Sequence, residues 1–242
     1  MPPLFMDLSV VIPAYNEALR LGPSLRQVVS YLRQQPGRFE VLVVDDGSTD
    51  GTAEVAREFV ADGVRVLRQD ENRGKGAVIK VGVLASQGRE VLLADADLST
   101  PIEEIEKLRP HLAEAPLVLG SRSVPGADIT QHQPFYREWM GRTFNLIIRI
   151  LGVRGLRDTQ CGFKLLAGDV ARRLFAEMTI ERFAYDVELV WLARRHGYHV
   201  IEVGVRWADS SSSKVNPLSD SFRMFWDVLA LRWRDWRKAR RR

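Results

Sequence analysis

The chain has 242 residues, 45% of them hydrophobic, which suits one sizeable domain with at most an appendage. Lys and Arg exceed Asp and Glu by only 35 to 31, and seven of the basic residues fall between Arg232 and Arg242, against the single acid Asp235. The one cysteine, Cys161, excludes a disulfide framework and a cysteine-rich zinc site, and the N-terminus lacks the apolar core of a signal peptide.

Taken in order, the first half alternates two patterns. Short apolar runs read as buried strands at Leu8–Pro13, Phe39–Asp46, Val64–Leu67, Glu90–Asp97 and Leu117–Ser121. Between them, helical periodicity covers Ala18–Leu32, Thr52–Val60, Gly74–Ala85 and Ile102–Leu112. Ser48-Thr49-Asp50 and Ser99-Thr100-Pro101 supply helix-start chemistry. Strands alternating with helices predict an α/β fold with a mostly parallel, Rossmann-like sheet flanked by helices. Beyond Ser121 come an apolar stripe from Trp139 to Leu151 interspersed with arginines, the segment DTQCGFKLL, the helical AYDVELVWLARR, and VIEVGVRW as one strand. A final amphipathic helix starts at Asn216-Pro217, with Leu218, Phe222, Phe225, Trp226, Leu229, Trp233 and Trp236 on one side. These boundaries predict a domain over residues 6–214 and a basic C-terminal helix over 215–242.

In such a sheet, ligands bind outside the carboxyl ends of the strands. Three of those ends are polar: Pro13-Ala14-Tyr15-Asn16-Glu17, Asp45-Asp46-Gly47-Ser48 and Asp95-Ala96-Asp97. Two carboxylates one residue apart repel, and a divalent cation offsets that cost. In an extended segment, Asp95 and Asp97 are expected on one face. The stretch NRGKG sets Lys75 between glycines at a helix start, where anions are favoured. Neither GxxxxGK[ST] nor a GxGxxG after the first strand is present. The pattern predicts a nucleoside-diphosphate site without a P-loop. Asp45, Glu17 and Tyr15 are candidates for base and ribose, and Mg²⁺ or Mn²⁺ on one or two carboxylates for the diphosphate. Plainer readings stand beside these: Asp46 as a turn residue, Lys75 as a solvated helix-start lysine, Tyr15 as packing under its loop, and Arg122 and Arg137 as members of structural ion pairs.

The motifs VVIPAYNE, VVDDGSTDGT, NRGKG, DADLS and GSR, in this order and spacing, resemble family 2 of the glycosyltransferases. The resemblance implies the GT-A fold and a DxD-type metal and sugar-nucleotide motif. It puts the metal on Asp97, with Asp95 as second ligand or ribose contact, and Pro13, Tyr15, Glu17, Asp45, Asp46, Lys75 and Ala96 around the donor. GSRSV, PFYRE, RDTQCGFKLL, ERFAYDVELV and SSSK are further similar to the polyprenyl-phosphate sugar synthases, in particular the dolichyl-phosphate glucosyltransferases. Those enzymes usually carry a Gly near the SK, where this chain has Ser210 to Ser213 before Lys214.

That branch implies inverting transfer of a hexose, glucose from UDP-glucose, onto polyprenyl phosphate. Alternatives are another donor such as GDP-mannose, or a hydroxyl acceptor. A phosphate acceptor, with a second pKa of about 6, arrives anionic and needs cations rather than a base. Arg122, Arg137 and Lys214 are assigned to it by resemblance and charge type. A hydroxyl acceptor needs a base, for which Asp158 and Asp186 are the candidates; Asp158 alternatively orients Arg122 or the donor sugar. The Trp139 and Leu218 stripes and the basic end suit a peripheral enzyme on an anionic membrane, at the cytoplasmic face. No nucleic-acid motif appears, and oligomeric state is not read.

Overall fold

The computed structural model describes residues 6–131, 155–209 and 223–233. A seven-stranded sheet is built from β1 (Met6–Ala14), β2 (Phe39–Asp45), β3 (Val64–Arg68), β4 (Gly88–Leu93), β5 (Leu117–Ser121), β7 (Lys164–Ala167) and β8 (Val200–Gly204). Its order is β3-β2-β1-β4-β7-β5-β8. All neighbours are parallel except β7, which runs antiparallel between β4 and β5. The helices are α1 (Ala18–Leu32), α2 (Thr52–Arg57), α3 (Lys75–Ala85), α4 (Ile105–Leu108), α5 (Gly168–Glu177), α6 (Tyr185–Arg195) and α7 (223–233).

Strand parity builds the layers. Val10 and Ile12 of β1, with Val41 and Val43 of β2, face a core closed by Leu21, Leu25 and Val28 of α1 and by Ile105 and Leu108 of α4. Val11, Leu42 and Val44 face the opposite core, closed by Val78, Ile79 and Val83 of α3, by Leu174 and Phe175 of α5, and by Leu189 and Val190 of α6. Both sheet faces are therefore covered, which is why the strands read as continuous apolar runs rather than alternating ones. The polar strand ends are left at one edge of the layers.

The mostly parallel sheet with flanking helices is as expected, and α1 has the expected bounds. Four local features differ. The strand expected over Glu90–Asp97 stops at Leu93. The helix expected over Ile102–Leu112 is a string of short turns, Ile102–Glu104, α4 and Arg109–Ala113, because Pro110 has no N–H to continue an α-helical ladder. β7 was not foreseen as a strand. The single strand expected in VIEVGVRW divides at Val205. The Val205 N–H bonds Ser121 O in the main sheet (3.2 Å), while its carbonyl accepts Asp128 N (3.2 Å). Beyond it β9 (Arg206–Ala208) pairs in parallel with β6 (Asp128–Gln131) as a separate ribbon.

Helix α7 buries Met224, Val228 and Leu231, and Met224 and Val228 join the core of α3, α5 and α6. Its Trp226 and Trp233 are 55% and 57% exposed. The rest of the expected final helix, with Leu218, Phe222 and Trp236, lies outside the described residues, as does the Trp139–Leu151 stripe.

Candidate active site

The loop after β1 is braced from the loop after β2. Asn16 adopts a positive φ of 51°, and its N–H donates to Ser48 Oγ (2.8 Å). The Glu17 N–H donates to Thr52 Oγ1 (2.7 Å). This sets Tyr15, 38% exposed, and Glu17 at the mouth of the crevice. Glu17 holds Arg20 through two hydrogen bonds of 2.8 Å. Pro13 and Ala14 close the end of β1 in register with Val44 and Asp45.

Asp45 is fully buried. Its Oδ1 accepts the Ser48 N–H (3.2 Å). Its Oδ2 has no hydrogen bond among the described residues, although the half-exposed Arg68 Nε lies 3.4 Å away. A buried acceptor left in that state costs about 1–3 kcal/mol, so it is suited to receive an N–H from a ligand. Asp46 has a different position. Its two oxygens accept the N–H groups of Arg73 and Gly74, each at 2.8 Å. It holds the NRGKG loop, and both its oxygens are already engaged by backbone.

That loop delivers Lys75 at the first position of α3, and Lys75 Nζ donates to Asp95 Oδ1 at 2.5 Å. Burial works to lower the Lys75 pKa, but the charges of Asp95, Asp186 and Asp97 and the hydrogen bond to Asp95 together outweigh it, and the net shift is upward. For Asp95 burial works upward, Lys75 with help from Lys164 and Arg122 outweighs it, and the carboxyl sits below its ordinary value. Both groups are thus held charged. Close approach is required on the far side of Asp95: a Cβ on Gly162 would stand 2.1 Å from Asp95 Oδ2.

The segment that carries Asp95 and Asp97 is a turn and not the extended strand expected. The chain turns at once after Leu93: the Leu98 N–H donates to Asp95 O (3.0 Å), and Leu98 takes a φ of 47°. Asp95 faces Lys75 and Gly162. Asp97 has its own partners, with Oδ1 accepting from Ser99 N (3.1 Å) and Ser99 Oγ (3.0 Å) and Oδ2 3.7 Å from Arg20 Nη1. The buried Ala96 lies between them.

Among the described residues, no group of three or more His, Cys, Asp and Glu side chains could hold a metal ion alone. Asp95 and Asp97, one-third and one-fifth exposed, are therefore a two-carboxylate set. That set fits Mg²⁺ or Mn²⁺, which take their remaining oxygens from phosphate and water; it does not fit a closed tetrahedral zinc site.

Arg122 follows β5. Its Nε and Nη2 donate to Asp158 Oδ2 (2.7 Å) and Oδ1 (2.9 Å), and its own N–H donates to Oδ2 (3.0 Å). The guanidinium lies over the Trp207 ring of β9, 5.2 Å from its centroid. Burial tends to raise the Asp158 pKa, yet Arg122 outweighs it and the net value is low. The backbone N–H groups of Arg157 and Asp158 in turn bond Glu202 of β8, each at 2.7 Å. Asp186, at the start of α6, is buried and accepts a 2.5 Å bond from Lys164 Nζ. Burial is the main cause that raises its pKa, and Lys164 opposes it only in part.

The structure thus gathers Pro13, Tyr15, Glu17, Asp45, Lys75, Asp95, Ala96 and Asp97 at one sheet edge, with Asp46 behind the loop. Arg122 and Asp158 stand on the β5 side. Arg137 and Lys214 lie outside the described residues. The sequence reading missed Arg20, Gly162, Lys164 and Trp207. A lysine inside the apolar run GFKLL was the one available signal of a buried ion pair.

Comparison with known proteins bears on the family and the fold. Residues 9–175 match the family model described as Glycosyl transferase family 2. The chain belongs to that family. It is therefore a glycosyltransferase, and its sheet is that of the GT-A fold. The dolichyl-phosphate beta-glucosyltransferase of Dictyostelium discoideum is 35% identical over 242 residues, covering 94% of this chain and 74% of that protein. The human protein of the same name is 36% identical, covering 94% and 75%. Among solved structures, mannosyl-3-phosphoglycerate synthase from Rubrobacter xylanophilus superposes with a TM-score of 0.69 at 19% identity, covering 98% of this chain and 76% of that one. The glucosyl-3-phosphoglycerate synthase of Mycobacterium tuberculosis, in complex with Mn²⁺, UDP and glucosyl-3-phosphoglycerate, gives 0.64 at 20% identity, covering 93% and 78%.

Proposed function

We propose that this glycosyltransferase moves glucose from UDP-glucose onto a polyprenyl phosphate of the dolichyl type, with inversion and with help from Mg²⁺ or Mn²⁺. The observation that carries the acceptor class is the state of its two candidate bases. Asp158 is 1% exposed and saturated by Arg122; Asp186 is 6% exposed and bonded to Lys164. Neither carboxylate is presented to an incoming hydroxyl. A phosphate acceptor, already anionic, requires no base, and Arg122, held in one orientation by Asp158 and Trp207, is suited to receive it. The relatives named for dolichyl phosphate support the same reading.

On the donor side, Asp45 and Glu17 would take the base and ribose beside Tyr15. Asp97 and Asp95 would hold the cation, which supplies counter-charge to the departing diphosphate. Lys75 would add a second cation at the N-terminus of α3, where an anion is favoured. Arg137 and Lys214 belong to the acceptor half of the proposal. Trp226 and Trp233 of α7, turned away from the core, and the basic residues after Arg232 support peripheral contact with an anionic membrane.

The test is incubation of the protein with Mg²⁺, labelled UDP-glucose and a short polyprenyl phosphate. A labelled lipid is expected, its sugar of inverted anomeric configuration. Absence of product across UDP- and GDP-sugars sinks the proposal, and transfer to a free alcohol instead points to the hydroxyl reading.

A further inference from the structure

Lys164 and Asp186 form a fully internal ion pair that the proposed chemistry does not use. Lys164 is 0% exposed and comes from the middle of the sheet, on β7, where its Cα pairs with Leu93. A buried ion pair is weak evidence for stability, because the lost hydration of both charges offsets most of their attraction. Its retention calls for another explanation, and the contacts around it supply one.

Besides Asp186, Lys164 Nζ donates to Cys161 O at 2.5 Å. That carbonyl belongs to the peptide leading into Gly162, the residue at which the Asp95 carboxylate leaves no room for a Cβ. The pair therefore fixes the backbone that limits where Asp95 can go. A second path runs through Tyr185, the neighbour of Asp186. Tyr185 Cβ packs so tightly on Gly76 that a Cβ there would lie 2.8 Å from it, and Gly76 follows Lys75. The Ala77 N–H donates to Glu181 O (2.9 Å), tying the same turn of α3 to the approach of α6. The two members of the Lys75–Asp95 contact are thus each backed by one side of the buried pair.

We infer that Lys164 and Asp186 are positioning residues for the donor diphosphate, bracing Asp95 through Gly162 and Lys75 through Gly76. This rests on the proposed donor role of Asp95 and Lys75. Neither Lys164 nor Asp186 is a catalytic residue in this assignment: both act through others.

The test compares wild type with Asp186→Asn and with the double variant Lys164→Met/Asp186→Leu. Thermal melting and titration with Mn²⁺ plus UDP are both measured. Apolar replacement of a buried pair is often neutral or stabilising, so the double variant is expected to melt at or above the wild-type temperature. Its affinity for UDP with Mn²⁺ is expected to fall about tenfold or more, the range for groups that orient a metal ligand. A folded variant that binds UDP with Mn²⁺ like wild type overturns the inference. So does failure of both variants to fold, which would make the pair a requirement of folding alone. A wild-type protein that binds no UDP with Mn²⁺ instead overturns the donor-site reading on which the inference stands.

Discussion

Asp158 takes three hydrogen bonds from Arg122, two from the guanidinium fork and one from the backbone N–H of the same residue. Backbone and side chain are captured by one carboxylate, so the guanidinium has one orientation, which the Trp207 ring covers from one side. The fork is the part a lysine cannot reproduce. Arg122→Lys is expected to keep a charge beside Asp158 and to fold. Its rate of sugar transfer to polyprenyl phosphate is expected to fall on the order of 10²-fold, the cost of misplacing a reactant by about 1 Å. UDP binding in the presence of Mn²⁺ is expected to stay at the wild-type level. Steady-state kinetics with each substrate varied, alongside UDP titration, separates the two effects; a rate within about twofold of wild type would remove Arg122 from the acceptor site.

The same pair sets the acid limit of stability. The folded Asp158 has a pKa below 3.8 because Arg122 outweighs its burial. A depressed carboxyl contributes stability that is present above the unfolded value, about 4, and is lost as pH falls through the folded value. Asp186 has the opposite sign: burial raises its pKa, so protonation relieves a cost as pH falls. Melting temperature measured against pH should therefore fall on the acid side in wild type. Asp158→Asn should lower stability by about 3–5 kcal/mol at neutral pH, the cost of breaking a buried pair, and should flatten the acid limb. Asp186→Asn should leave that limb in place. A wild-type acid limb unchanged in Asp158→Asn refutes the assignment.

Much of this architecture was legible in the sequence. Parallel strands buried on both faces leave unbroken apolar runs, as in Val10–Ile12 and Val41–Val44, and α1 shows helical periodicity from end to end. The strand ends with their acids and glycines were legible for the same reason, since polar residues after such runs have few places to be. What was hidden depends on distant partners. β7 inserts antiparallel between β4 and β5, some seventy residues from one of them along the chain, and no local period announces that pairing. The loss of extended geometry at Asp95–Asp97 follows from the turn that the Leu98 N–H closes on Asp95 O, which ends on a positive φ at Leu98, a residue type that does not advertise one. Asp158 has three readings from sequence, as base, as orienter of Arg122 or as orienter of the donor sugar, and only proximity across the fold shows the ion pair with Arg122.

The two oxygens of Asp97 are held differently: Oδ1 is committed to Ser99 by two hydrogen bonds, whereas Oδ2 has Arg20 at 3.7 Å. Asp97→Asn keeps the acceptor for Ser99 and removes the charge a cation needs. Thermal shift with UDP and Mn²⁺ is the measurement. Ligand at about 100 times its Kd stabilises wild type by about 2.7 kcal/mol, and chelation of the metal with EDTA should abolish most of that shift. In Asp97→Asn the shift should be small with or without metal, while the melting temperature of the unliganded protein changes little. An Asp97→Asn protein that keeps the full metal-dependent shift would move the cation to Asp95 alone.

Helix α7 presents two stripes whose substitution should have opposite consequences. Met224, Val228 and Leu231 recur at spacings of four and three and are buried, the first two in the core of α3, α5 and α6. Met224→Ala removes packed volume and should cost about 2–5 kcal/mol, lowering the melting temperature without altering vesicle binding of the folded protein. Trp226 and Trp233, seven residues apart and more than half exposed, lie on the other stripe, and indoles at such positions suit a headgroup region. Trp226→Ala with Trp233→Ala should leave the melting temperature nearly unchanged. Co-sedimentation with vesicles containing anionic lipid should fall several-fold, and more so at high salt, where the basic residues after Arg232 contribute less. If the double tryptophan variant sediments like wild type while its melting temperature drops, α7 is a packing element and the membrane contact lies elsewhere.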